Sequence, residues 1–242
     1  MYFSDDMQGV KQALLEKGID HLHYMSPLAT TPLIAALGIL SFELRGELEK
    51  EAQWRQLLQL MGSESIADQL VQHRRDRKIL DGKSLHEYVP LYFGTHTPMQ
   101  YVVTRDNAEE QGQAITFAEV NLEKVLNIDD VWFTDGNAAS DDTSFYNGLE
   151  GIDAVHWDLV LGKKPCLSDD WKRWKAAEVL VPRQVLPEYV DRYVFLDAEA
   201  ARRFGAMVQQ FANSGLLTYT GFEAVHDSSH FYRSKGGKLV AA

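Results

Sequence analysis

Apolar residues recur at helical spacing at the start of the chain. Residues 6–18 place Val10, Ala13 and Leu14 on one side, and Gly18 is typical of a helix end, so a helix is predicted here. HLHYM at 21–25 predicts a short strand. A turn and a short helix are predicted over PLATTPLIAALGIL, a charged amphipathic helix over SFELRGELEKEAQWRQLLQLMG, and helix or coil over SIADQLVQHRRDRKIL.

From Tyr88 onward the pattern changes to short runs rich in β-branched and aromatic residues, which are typical of strands. The runs are YVPLYF, MQYVVT, AITFAEV, VWFT, AEVLVP and YVFLD. A late helix is predicted over DAEAARRFGAMVQQFAN, and the final RSKGGKLVAA is expected to be loose. Helices followed by strands predict an α+β fold with a mainly antiparallel β core and helical insertions.

Composition favours one domain with a sizeable core. The chain has 242 residues, of which 45% are hydrophobic and 11% aromatic, which argues against disorder. We predict a single domain over 1–242, with a helical N-terminal part at about 1–80, a β-rich core at about 85–198 and a C-terminal helix and tail at about 197–242. The single cysteine, Cys166, excludes an internal disulfide and a cysteine zinc site, and suits a reducing cytosol.

Neither a signal peptide nor a membrane span is expected. The first residues, MYFSDDMQGVKQ, carry two acids where a signal peptide has a basic region and an apolar stretch. The longest nearly apolar run, 29–40, is too short for a bilayer, which needs roughly 20 residues. The sequence therefore predicts a cytoplasmic protein without a membrane partner.

The net charge of −11 argues against a broad surface that coats nucleic acid, so the clustering of basic residues becomes decisive. One cluster is HRRDRK, and the other is WKRWK at 171–175. WKRWK alternates rings with cations, as a path for single-stranded nucleic acid requires. The alternative is a helix with solvated lysines and two tryptophans in the core.

The second cluster ends three residues before an acid that stands directly in front of an apolar strand. This acid is Glu178, in KAAEVLVP. A carboxylate fixed at the edge of a rigid strand would suit catalysis. The alternative is a glutamate that caps the strand or pairs with Lys175 or Arg173.

Other candidate sites are weaker. His226 and His230 are four residues apart, which would suit a metal on a helix, but HDSSH is a poor helix former and no third ligand is evident, so no metal is expected. No glycine-rich phosphate loop and no G-x-S-x-G elbow is present. The segment FTDGNAASDDTSFY is interpreted as a polar loop.

Several motifs together resemble a known family. HRR, followed by SLHEYVPLYFGTHTPMQYVV, then VWFTDGNAAS and then AEVLVP, resembles the DarT family of DNA ADP-ribosyltransferase toxins. The resemblance covers residues 20–195. It implies that Glu178 is the catalytic glutamate and that Arg75, the second arginine of HRR, is a catalytic and NAD-binding residue. The other implied NAD-binding residues are His23, Met25 (where the family often has threonine), Tyr92 and Met99.

The stretch from Asn137 to Lys175 resembles the loop that presents the DNA substrate. The candidate DNA-binding residues are therefore Asn137, Trp171, Lys172, Arg173, Trp174 and Lys175. The chemistry agrees with these residue types, because a carboxylate beside the ribose stabilises an oxocarbenium-like transition state. An arginine fork suits the phosphates of a dinucleotide.

The resemblance implies an NAD-dependent mono-ADP-ribosyltransferase that uses NAD as co-substrate and modifies a base in single-stranded DNA. The enzyme would be the toxin of a toxin–antitoxin or phage-defence system, with an ADP-ribosyl-DNA glycohydrolase as antitoxin partner. Two alternatives remain open at this point. The acceptor is RNA or protein, or the chain is a non-enzymatic binding module in which Glu178 and Arg75 do not meet in one cleft.

Overall fold

The computed structural model describes residues 5–27, 74, 76–79, 82–104, 112, 115–162, 168–213, 220–235 and 238–241. Within these ranges the strands are β1 His21–Pro27, β2 Tyr88–Tyr92, β3 Ile115–Asn121, β4 Trp132–Thr134, β5 Phe145–Tyr146, β6 Glu178–Pro182, β7 Val190–Phe195, β8 Glu223–His226, β9 Tyr232–Lys235 and β10 Lys238–Ala241. The α-helices are α1 Asp5–Glu16, α2 Pro98–Thr104, α3 Leu122–Leu126, α4 Leu149–Ala154, α5 Trp157–Val160, α6 Asp169–Lys175 and α7 Ala198–Asn213. Single 3-10 turns cover Leu85–Glu87, Pro187–Tyr189 and Ser228–His230.

An eight-stranded sheet organises the fold, in the order β5-β4-β6-β2-β1-β3-β7-β8. Its neighbouring strands are antiparallel except β7 and β8, which are parallel. The strands β9 and β10 form a separate antiparallel pair. The predicted α+β class with a mainly antiparallel core is confirmed. β1 and β8 lie outside residues 85–198 and belong to the same sheet.

Alternation along β1 shows how the sheet separates its two faces. Leu22 and Tyr24 are buried in the main core, which also contains Val10 and Leu14 of α1. His21 and His23 point to the opposite face because successive strand residues alternate. The polar side of β1 is therefore available for a site, while its apolar side holds α1 in place.

Two sequence predictions were wrong. MQYVVT, predicted as a strand, lies in α2, which begins at Pro98, and proline is favoured at the first position of a helix. The tail RSKGGKLVAA, expected to be loose, contributes to β9 and β10, which lie on either side of the two glycines.

Other predictions fall partly or wholly outside the described residues. The helices predicted over PLATTPLIAALGIL and SFELRGELEKEAQWRQLLQLMG lie there, as do Arg75 and Cys166. Among the helices that are described, none is both long and apolar enough to cross a membrane.

Candidate active site

A row of polar residues crosses five neighbouring strands on one face of the sheet. Glu178 of β6 lies opposite Tyr92 of β2, and Tyr92 lies opposite His23 of β1. On the other side of His23, Glu119 of β3 is its partner, and Arg192 of β7 lies opposite Glu119. Directly opposed residues in antiparallel strands place their side chains on the same face. The backbone register thus aligns residues that are far apart in the sequence.

Glu178 is held at one end of this row. The backbone N–H of Glu178 donates to Thr134 Oγ1 at 2.8 Å, and only 1% of Glu178 is exposed to solvent. Arg74 donates to both carboxylate oxygens of Glu178, with Nη1 at 3.3 Å from Oε1 and Nη2 at 3.1 Å from Oε2. The backbone N–H of Ala138 also donates to this carboxylate. The alternative in which Glu178 pairs with Lys175 or Arg173 is replaced by a bidentate pair with Arg74.

Burial controls the ionisation of this end of the row. Burial raises the pKa of the Glu178 carboxyl, and the charge and hydrogen bonds of Arg74 act in the opposite direction. Burial and the nearby Glu178 charge also raise the pKa of Tyr92, so this phenol stays protonated. A carboxyl with a raised pKa beside an arginine is typical of a functional site.

The other end of the row is a network of charged and polar groups around Glu119. His230 Nε2 lies 2.8 Å from Glu119 Oε1, and Arg192 Nε donates to Oε2 at 2.5 Å. Burial acts to raise the pKa of Glu119, but the hydrogen bond from His230 and the charges of His23, His230 and Arg192 lower it to about 2. Burial lowers the pKa of His23 to about 3, assisted by the charge of His230.

A cavity of about 310 Å³ lies against this second end. It is lined by His23, Glu119, Arg192 and His230, by the 93–96 segment after β2 and by residues 18–21 before and within β1. Its size is at the lower limit of cavities that hold small-molecule ligands. His23 Nδ1 is buried there without a hydrogen-bond partner, and a bound ligand is one way to satisfy such an atom.

His23, Glu119 and His230 also form a donor set that suits a divalent cation, since their ligand atoms lie within 4.8 Å of one another. However, Arg192 already contacts one Glu119 oxygen and His230 the other. The negative charge of Glu119 is therefore balanced by protein groups and not by a metal ion. His226 and His230 do not share a helix, as expected from the poor helix-forming sequence HDSSH, because His226 lies in β8 and His230 in a 3-10 turn.

The candidate DNA-binding segments meet beside Glu178. The Asn137 N–H donates to Arg173 O at 2.8 Å, and Arg173 pairs with Asp135 at 3.3 Å. Gly136 permits this approach, because a Cβ there would lie 2.9 Å from Arg173 O. The loop 135–143 and α6 therefore form one surface next to the catalytic candidate.

The five residues of WKRWK differ in their exposure. Trp171 is 42% exposed, whereas Trp174 packs on His156 with ring centroids 4.3 Å apart. Lys172 pairs with Asp169 at 2.7 Å. Lys175 is buried, and its Nζ donates to the backbone oxygens of Leu159 and Gly162. Lys175 thus ties α6 to α5 and to the residues directly after it, and Trp171 is the more exposed ring of this segment.

Two of the predicted NAD-binding residues belong to the row of polar residues, and two lie outside it. His23 and Tyr92 belong to it, whereas Met25 packs on the apolar cluster of Ile115, Phe117, Val194 and Phe231. Met99 lies half-buried in α2. HRR contains two arginines, and the structure describes the first, Arg74, which contacts Glu178. The second, Arg75, lies outside the described residues, so its predicted role stays a prediction.

Glu119 and Arg192 were not singled out from the sequence. His230 was considered only as a metal ligand, and Arg74 only as part of the basic cluster HRRDRK. A signal existed for Glu119, because an acid inside the apolar run AITFAEV needs a buried partner. Arg192 and His230 are 73 and 111 residues away from it in the chain. The strand register reveals Arg192, and the path of the C-terminal segment reveals His230.

The chain is similar in sequence to proteins of one known family. The family model described as "ssDNA thymidine ADP-ribosyltransferase, DarT" matches residues 51–218. A curated protein of Thermosipho africanus (strain H17ap60334), a "DNA ADP-ribosyl transferase-DNA ADP-ribosyl glycohydrolase fusion protein", is 30% identical over 186 residues. The match covers 74% of this chain and 43% of that protein, so the chain spans less than half of the relative's length.

Solved structures share the fold. Thermosipho africanus DarTG in complex with ADP-ribose has a TM-score of 0.69 at 23% identity, over 87% of this chain and 50% of that one. Thermus sp. 2.9 DarT in complex with ADP-ribosylated ssDNA has a TM-score of 0.69 at 18% identity, over 89% and 97% of the two chains. The same protein with NAD+ has a TM-score of 0.68 at 17% identity, over 88% and 98%. The predicted ADP-ribosyltransferase-like fold is confirmed.

Proposed function

The chain belongs to the DarT family, and we propose on this premise that it transfers ADP-ribose from NAD to thymidine in single-stranded DNA. The family inferred from the HRR, YVPLYF and AEVLVP motifs is confirmed. The observation that carries the proposal for this chain is the row of Glu178, Tyr92 and His23 across β6, β2 and β1, with Arg74 bound to Glu178.

In the proposed reaction the bond between nicotinamide and ribose C1′ breaks, and nicotinamide leaves with the bonding electrons. The acceptor atom of the thymine base forms a new bond to C1′ and releases its proton. The transition state is oxocarbenium-like, so an ionised Glu178 stabilises it through charge and through a hydrogen bond from the ribose 2′-hydroxyl. Arg74 opposes the effect of burial on Glu178 and orients its carboxylate.

The remaining residues divide between NAD and DNA. His23, Tyr92, Met25, Met99 and Arg75 are proposed to surround NAD. Trp171, Lys172, Arg173 and Trp174, together with Asn137, are proposed to hold the acceptor strand, with Trp171 as the exposed stacking surface. The DNA-binding role predicted for Lys175 does not fit, because Lys175 is buried and donates to backbone oxygens of the protein. The base must be unstacked to reach C1′, and single-stranded DNA lowers the cost of this step.

We further propose that the chain is a toxin that acts in the cytoplasm and is opposed by an ADP-ribosyl-DNA glycohydrolase. The fusion of these two activities in the name of the Thermosipho africanus relative supports such a partner. The partner reverses the modification by hydrolysing the bond that this enzyme forms.

The test uses NAD and four single-stranded oligonucleotides, each of which lacks one base. Intact mass should show one added ADP-ribose on the three that contain thymidine and none on the fourth. Glu178→Gln should abolish labelling, whereas Glu150→Gln, at an exposed position in α4, should label like the wild type. Labelling of the oligonucleotide without thymidine, or an active Glu178→Gln variant, would contradict the proposal.

A further inference from the structure

His23 and Glu119 are placed to bind each other. They are Cα partners on β1 and β3, their side chains share one face, and their ligand atoms lie within 4.8 Å of each other and of His230. An imidazole next to an ionised carboxylate takes up a proton and donates a hydrogen bond to it. The charge of Glu119 acts to raise the pKa of His23, whereas burial and the charge of His230 lower it.

Both Glu119 oxygens are occupied by other groups. His230 Nε2 lies 2.8 Å from Oε1, and since the Glu119 carboxyl is ionised, His230 is the donor. Arg192 Nε donates to Oε2 at 2.5 Å. His23 lies beside the carboxylate with its ring 5.6 Å from the His230 ring, edge to face, and its Nδ1 is buried without a hydrogen-bond partner.

The C-terminal segment 220–235 holds His230 in this position. Gln100 Nε2 donates to His230 O at 2.9 Å, and the buried Phe231 packs on Phe117 with ring centroids 5.4 Å apart. Tyr232 Oη donates to His96 O at 3.1 Å. This segment lies beyond residues 51–218, which the family model matches.

We propose that His230 is a positioning residue, which binds Glu119 and so helps burial to keep His23 uncharged and directed to NAD. An uncharged imidazole donates with one ring nitrogen and accepts with the other, so it can pair with a hydroxyl or a carboxamide of NAD. The effect on NAD binding rests on the proposed function, whereas the effect on His23 does not depend on NAD. His23 is faced by Glu119 of β3, Arg192 of β7, His21 and Asp20 on its own side, and His230 of the C-terminal segment. His230 in turn pairs with Asp227 at 3.3 Å.

Removal of His230 should therefore change His23. In His230→Ala, Glu119 has a free oxygen and the charge that opposes protonation of His23 is lost. The pKa of His23 therefore rises, although burial still opposes protonation, and His23 turns to Glu119 as its partner. One oriented hydrogen bond to NAD is lost, which corresponds to roughly 10–100-fold weaker binding.

The first experiment follows the ring protons of His23 by NMR in the full chain without NAD, with His23→Gln to assign the signal. The wild-type His23 signal should not titrate around pH 6.5, the ordinary histidine pKa, because burial and the charge of His230 lower the pKa of His23 to about 3. His230→Ala should move the titration of His23 to higher pH. His230→Gln, which keeps an N–H donor for Glu119, should reverse part of this shift, and so should Glu119→Gln combined with His230→Ala. A His23 signal that titrates identically in wild type and His230→Ala overturns the inference.

The second experiment measures NAD affinity by calorimetry, with thermal unfolding of each variant to confirm folding. His230→Ala should bind NAD roughly 10–100-fold more weakly, and Glu119→Gln in the same chain should restore part of this loss. A merely structural His230 predicts the reverse, because the second substitution removes another buried contact. The control is His226→Ala, at an exposed position in β8. A wild-type chain without NAD affinity would contradict the proposed function, while the NMR titration would still decide the role of His230.

Discussion

Two buried glutamates on one row of the sheet have opposite ionisation behaviour. Burial raises the pKa of Glu178 even though Arg74 contacts it. The pKa of Glu119 is lowered to about 2, because the hydrogen bond from His230 and the nearby positive charges outweigh the effect of burial. Environments that push two carboxyl pKa values apart assign them different roles. Glu178 is suited to a reaction step, and Glu119 to a permanent negative charge.

The activity should fall on the acidic side as Glu178 becomes protonated. Since its pKa lies above the ordinary 4.5, the midpoint of this fall should also lie above 4.5. Arg74 opposes the effect of burial, so Arg74→Gln should move the midpoint to higher pH, and Arg202→Gln, at an exposed ion pair with Glu199, should not. The measurement is the single-turnover rate of oligonucleotide labelling across the acidic and neutral range. If the pH midpoint of the labelling rate were the same in Arg74→Gln as in the wild type, Arg74 would have no influence on the ionisation of Glu178.

Protonation of Glu178, which lowers the activity, should raise the stability of the folded protein. A carboxyl whose pKa is raised in the folded state contributes stability below its unfolded-state value, and this contribution is lost as pH rises through the folded-state pKa. For Glu178 this window begins at 4.5 and extends upward. The ionised form that the reaction needs is therefore the form that folding disfavours, which Arg74 partly offsets.

At the scale of elements, the loop 135–143 and α6 are joined at Gly136. A Cβ on Gly136 would lie 2.9 Å from both Arg173 O and Arg173 Nη1, which is closer than real Cβ contacts. Gly136→Ala should push α6 from the loop, destabilise the protein by about 1–3 kcal/mol and lower DNA labelling more than NAD affinity. The matched control is Gly205→Ala in α7, where an added Cβ would meet no atom within 4 Å beyond its own helix. This substitution should be neutral or stabilising by up to about 1 kcal/mol.

Chemical denaturation and labelling rates check this prediction. A Gly136→Ala protein with wild-type stability and wild-type labelling would show that the contact between the loop and α6 can relax. An equal loss of NAD affinity and DNA labelling would show that the junction supports the whole site rather than the acceptor surface.

The elements also show how far sequence alone reaches. Periodicity and β-branched runs predicted α1, most strands of the sheet and the final long helix, because each pattern is local. The strand prediction for MQYVVT was wrong, because its composition favours a strand. Pro98 at the first helical position, and the burial of Gln100 and Thr104 four residues apart, fit a helix. The motifs revealed Glu178, Tyr92 and His23. Arg192 and His230 reach Glu119 only through strand register and the path of the C-terminal segment, which no local pattern encodes.

At the scale of the whole molecule, the proposed substrate of a chain with a net charge of −11 is itself a polyanion. The cations of α6 are already engaged, since Lys172 pairs with Asp169, Arg173 pairs with Asp135 and Lys175 donates to backbone oxygens. Binding through α6 therefore releases few counterions, and stacking on the exposed ring of Trp171 must supply much of the affinity.

The affinity for single-stranded DNA should consequently depend weakly on salt. Each phosphate that a cation neutralises contributes about −0.7 to the slope of log K against log salt, so one to three contacts give a slope of about −0.7 to −2. Fluorescence anisotropy of a labelled oligonucleotide over a salt series measures the slope. Trp171→Ala should lower affinity by about 1–3 kcal/mol at every salt concentration without a change of slope, because stacking carries no charge. Leu15→Ala, at a similarly exposed apolar position in α1, should change neither quantity. A slope steeper than about −4 would place the main phosphate contacts on cations outside α6.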